Sequence, residues 1–60
     1  MVEQGSIIAD SEGTLFRVLS ADDSGIWMKK IKPNPPKGAI HTRALTWEQY
    51  TRFGYELQFP

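Results

Sequence analysis

The stretch from Thr14 to Ile31 constrains the fold of this chain more than any other. It predicts two strands, Thr14–Ser20 and Gly25–Ile31, both rich in β-branched and aromatic residues. Between them stand the turn formers Ala21-Asp22-Asp23-Ser24-Gly25. Asp and Ser side chains fold back onto nearby amides, and Gly25 is expected to supply the positive φ common in short hairpin loops.

The flanking segments extend this hairpin in both directions. Ser6-Ile7-Ile8-Ala9 reads as a preceding strand, set off by Gly5 and by Asp10-Ser11-Glu12-Gly13, a turn of the same chemistry. After Ile31 the prolines of Lys32-Pro33-Asn34-Pro35-Pro36-Lys37-Gly38 cannot donate to a sheet, so a stiff connector is expected. Ala39–Leu45 returns to strand composition. Thr46 and Gln49 then stand at capping-box spacing, with Leu45 and Tyr50 placed as a hydrophobic staple. Trp47, Tyr50 and Phe53 are expected on one face of a helix of about two turns that stops at Gly54. Tyr55–Phe59 alternates apolar and polar residues, the period of a half-buried last strand.

Sixty residues make one domain, spanning 1–60. A core of that size supplies only about 3–5 kcal/mol. With no cysteine, disulfides, thiolate zinc sites and cysteine nucleophiles are excluded. No apolar run approaches the ~18 residues of a membrane span, and Met1–Gly5 has no basic leader character, so a cytoplasmic chain off the membrane is expected. The net charge is zero but uneven, with −4 before Met28 and +4 from Met28 onward.

Five short strands with a helical turn before the last resemble the SH3-like small barrel, a likeness of architecture over the whole chain. The resemblance implies a mostly β, five-stranded SH3-like small barrel with one short helix before the last strand. The A-L-Y-D-Y opening of SH3 ligand domains is absent, so a proline-peptide reader is not implied.

Catalysis finds little to work with. His41 is the only histidine, and neither Ser-x-x-Lys nor Gly-x-Ser-x-Gly occurs to activate a serine. Asp22 and Asp23 have ordinary turn roles, and Asp10-Ser11-Glu12-Gly13 lacks the ligands of a calcium loop. No catalytic residue, metal or cofactor is expected.

Binding is better supported. In the third strand Ile26, Met28 and Lys30 share one face, and Trp27, Lys29 and Ile31 the other. Turning Ile26 and Met28 inward costs less, because Lys30 at the strand end can snorkel. Trp27 and Lys29 then project outward, with Arg17 on the neighbouring strand beside them. The competing reading has Trp27 covered by the Pro33–Pro36 loop. The expected function is a non-enzymatic interaction module, binding a protein partner or self-associating through a face centred on Trp27. Lys29, Arg17, Lys30, Lys32 and Arg43 are its other candidate residues. The alternative is nucleic-acid binding by Lys29, Lys30, Lys32, Lys37, Arg43 and Arg52, with Trp27 stacking on a base. A third reading is an oligomeric enzyme with a shared site. The plasmid-type dihydrofolate reductases are similar small barrels, but their V-Q-I-Y segment has no counterpart here. Size alone suggests a phage, plasmid or small bacterial accessory protein.

Overall fold

The computed structural model describes residues 1–60. In chain order it has β1 (Ile7–Ala9), β2 (Leu15–Ala21), β3 (Gly25–Lys32), β4 (Thr42–Thr46), α1 (Trp47–Arg52) and β5 (Glu56–Phe59). All pairings are antiparallel, in one sheet of order β4-β3-β2-β1-β5. The protein is therefore a mostly β small domain with five strands and one short helix. The sheet is not closed: β4 and β5 are its two edges, and α1 is the link between them.

Both tight turns rest on one device. Asp22 Oδ1 accepts from the Ser24 amide (2.9 Å), the Ser24 hydroxyl (2.7 Å) and the Gly25 amide (3.2 Å). Asp10 Oδ1 accepts from the amides of Glu12 and Thr14, each at 2.9 Å. A short acidic side chain satisfies amides that the reversing backbone leaves free. Gly25 has the positive φ expected of it, 157°. Proximity requires glycine as well, because a Cβ there would run into the Leu45 carbonyl and lie 2.8 Å from Thr46 Cα.

The core comprises Ile8, Phe16, Val18, Ile26, Met28, Leu45 and Tyr55. Val18 opposes Met28 and Ile26 opposes Leu45, so strand period and register turn the same face inward along β2, β3 and β4. Ser6 is fully buried just before β1, where its hydroxyl accepts from the Glu3 amide at 3.0 Å.

The helix starts as the sequence predicts. Gln49 N–H donates to Thr46 Oγ1 at 3.1 Å, and Thr46 N–H donates to Gln49 Oε1 at 2.9 Å. Leu45 is in the core and Tyr50 packs against it. Phe53 does not share the packed face of Trp47 and Tyr50. It caps the helix, is exposed, and lies under the Arg52 guanidinium, 5.3 Å from the ring centroid.

Two further departures concern strands. β4 begins at Thr42 rather than Ala39, leaving Ile40 exposed in the connector. Tyr55, just before β5, and Leu57 within it face the core as alternation predicts, but a register shift between Ile7 and Ile8 brings Phe59 opposite Ile7, where it is exposed.

Gly25→Ala is expected to lower stability by about 2–3 kcal/mol, the cost of forcing atoms into a filled site. An unchanged urea midpoint would refute the close approach to Leu45. The Ser24 hydroxyl, together with the Ser24 and Gly25 amides, holds the Asp22 carboxyl below its ordinary 3.8. That contribution is complete above pH 3.8 and is lost as pH falls through the lower folded value. The melting-temperature gap between the wild type and Asp22→Asn should therefore shrink on acidification below pH 3.8, and a gap independent of pH would contradict it.

Candidate functional site

Each strand pairing places one row of side chains on the outer face of the sheet. The central row runs Phe59, Ile7, Arg17, Lys29, Thr42, each opposite the next. Beside it lies the row Ser20, Trp27, Ala44, and on the other side Glu56, Ala9, Leu15, Lys32. This face presents three cations, Arg17, Lys29 and Lys32, against one acid, Glu56, with two exposed aromatics, Trp27 and Phe59.

Trp27 is 43% exposed, and its neighbours explain why. Ser20 and Ala44 stand on either side of it and are too small to cover an indole. A shallow cavity of about 390 Å³ opens beside the ring, lined by Ile26 and Leu45 and by the polar groups of Ser20, Asp22, Ser24, Thr46 and Gln49. No cation lines it. The connector lies elsewhere, its Asn34–Ala39 segment against Lys29, Lys30 and Ile31 at the far end of β3.

The expected cations do not form one patch. Arg17, Lys29 and Lys32 share the outer face with Trp27. Lys30 opposes Phe16 and Arg43 opposes Met28, which places both on the core side, where they line a separate polar cavity with Asp10 and Glu12. Lys37 is in the connector, and Arg52 pairs with Glu48 across one helical turn at 4.0 Å. That is the only ion pair in the chain. Arg17 and Lys29 thus stand directly opposite each other, both exposed, with no acid to neutralise either.

Parity along β3 was the signal for Trp27 and Lys29, and it held the clue to Lys30 as well. Arg43 carried no comparable signal, since its face depends on how β4 registers against β3 across the connector. Asp10 and Glu12 read only as turn residues.

No group of three or more His, Asp or Glu side chains is placed to hold a metal ion. No helix is long and apolar enough to cross a membrane. No family model, curated protein or solved structure matches the chain.

Like charges directly opposed across two strands are destabilising. Lys29→Glu, which replaces repulsion of Arg17 by attraction, is expected to raise stability by about 0.5 kcal/mol in urea unfolding. A loss of stability would show that Arg17 and Lys29 do not meet on this face.

Proposed function

We propose that this protein is a non-enzymatic interaction module that binds an acidic segment of a protein partner through the outer face of its sheet. Trp27 anchors the contact, and Arg17, Lys29 and Lys32 supply the charge. The five short strands and the helix before the last one support an SH3-like small-barrel scaffold for such a module.

The observation that carries this reading is the uncovered Trp27 beside the unpaired Arg17 and Lys29. An exposed aromatic next to a shallow cavity is the usual anchor of a protein contact, and Trp and Arg are the side chains that most often dominate its energy. Two adjacent uncompensated cations favour a partner that brings carboxylates. The cavity beside Trp27 offers apolar walls, hydroxyls, an amide and the Asp22 carboxylate, which suit peptide N–H groups and repel phosphates. Dispersal of the remaining cations over the core side, the connector and the helix argues against a continuous phosphate track. With net charge zero, the long-range field for a polyanion is weak as well.

Sedimentation and NMR titration with an acidic, aromatic-containing peptide test the reading, with a single-stranded oligonucleotide as comparison. Trp27→Ala should keep the fold and weaken peptide binding by about 2 kcal/mol. Binding of the oligonucleotide alone, with affinity falling steeply as salt is raised, would replace the protein partner by a nucleic acid. An unfolded Trp27→Ala variant would assign the ring to the core and remove the face.

A further inference from the structure

The core side of the sheet carries two charges. Lys30 stands half-buried opposite Phe16, and Arg43, itself exposed, stands opposite the fully buried Met28. Strand period puts both on the face that holds the core. Both line a cavity of about 310 Å³ at the end of the core beside the Asp10–Thr14 turn. Asp10 and Glu12 line the same cavity from that turn, and His41 lines it next to β4.

Opposite charges therefore share one small space without closing on each other, since no ion pair joins them. Independent bonds hold several of them in place. Asp10 Oδ1 is engaged by the amides of Glu12 and Thr14 at 2.9 Å. Arg43 Nη1 donates to the Tyr55 hydroxyl at 3.2 Å. The backbone of Lys30 is tied to the residue before β4, its N–H donating to the His41 carbonyl at 2.9 Å. The Asp10 carboxylate on the turn wall and the Arg43 guanidinium on the β4 wall are thus each held by their own hydrogen bonds, on either side of a gap. The volume lies at the small end of the range for small-molecule sites.

We propose that this cavity binds a small zwitterion of the amino-acid type. The ligand's carboxylate lies against Lys30 and Arg43, with His41 as a further donor, and its ammonium lies against Asp10 and Glu12. The walls select for this class by charge balance. An anion gains from Lys30 and Arg43 but is repelled by Asp10 and Glu12, and a simple cation meets the reverse. A molecule carrying both charges gains from both walls. The site lies on the side of the sheet opposite Trp27 and stands independently of the proposed protein contact.

The test is an NMR amide titration of the full chain with glycine, β-alanine, 4-aminobutyrate and 6-aminohexanoate, a series that varies the spacing between charges. Acetate and methylammonium at matched ionic strength are the single-charge controls. One member of the series should shift Thr14, Lys30 and Arg43 saturably and bind at least about tenfold more tightly than either control. Lys30→Met, which keeps the apolar stem against Phe16, and Glu12→Gln, on the exposed turn, should each weaken that binding about tenfold. Trp27→Ala should leave it unchanged. Acetate binding as tightly as the best zwitterion would overturn the proposal in favour of a plain anion site. Absence of saturable shifts across the series would overturn the site itself. Should Lys30→Met fail to fold, Glu12→Gln still decides: unchanged affinity there removes the carboxylate wall from the site.

Discussion

The fold depends on how a six-residue helix is held between the two edges of an open sheet. Such a helix is far below the length that is stable alone, and none of its residues is fully buried. Two contacts hold it. Trp47 Nε1 donates to the Asp22 carbonyl at 2.7 Å, fastening the start of α1 to the turn between β2 and β3. A run of rings then leads from the helix into the core: Trp47 to Tyr50 at 5.8 Å, Tyr50 to Tyr55 at 5.9 Å, and Tyr55 to Phe16 at 5.8 Å. Aromatic pairs at these separations contribute beyond the area they bury. The run joins α1 and the residue entering β5 to β2, and the Tyr55 N–H reinforces it by donating to the Tyr50 carbonyl at 3.1 Å. Burial first, and the nearby Glu56 second, push the Tyr50 hydroxyl above its ordinary 10.0.

Holding the helix this way leaves the sheet with two unlike sides. One packs the core and ends in the polar cavity of Lys30, Arg43, Asp10 and Glu12. The other has no layer over it and displays Trp27, Arg17 and Lys29. The acidic first half and basic second half of the chain therefore do not become two opposed faces. Antiparallel pairing folds the Asp10–Thr14 turn back toward the end of β3, so the halves meet inside one cavity. Zero net charge here describes a sum over charges of both signs.

What was legible in the sequence is what local chemistry decides. The Asp22 turn, its twin at Asp10 and the Thr46 cap each involve residues within four positions, and all three form as expected. The parity that turns Ile26 and Met28 inward was equally legible, because one apolar face of β3 has to be core. What escaped involves distant partners. The side on which Arg43 sits follows from its pairing with Met28, fixed only after the connector has crossed the end of the sheet. The exposure of Phe59 follows from the shift against β1, fifty residues earlier in the chain. Phe53 shows the limit of helical spacing: the helix ends at Arg52, so the next ring leaves the packed face that three-residue spacing had assigned to it. The second reason for Gly25 was hidden in the same way, since the atoms it makes room for belong to Leu45 and Thr46.

The placement of unfavourable groups is the strongest argument about function. A core of this size contributes only about 3–5 kcal/mol, so small costs matter. The chain nevertheless sets Arg17 against Lys29, leaves an indole 43% exposed between Ser20 and Ala44, and gives two core-side positions to Lys30 and Arg43. No ion pair offsets any of these cations. The opposed pair alone costs on the order of 0.2–1 kcal/mol. Elsewhere the chain is locally consistent, with turns closed by Asp, the helix capped and no buried side-chain polar atom left unbonded. Two groups of these departures fall at the places proposed above for binding. One lies on the outer face around Trp27, and the other at the end of the core around Lys30.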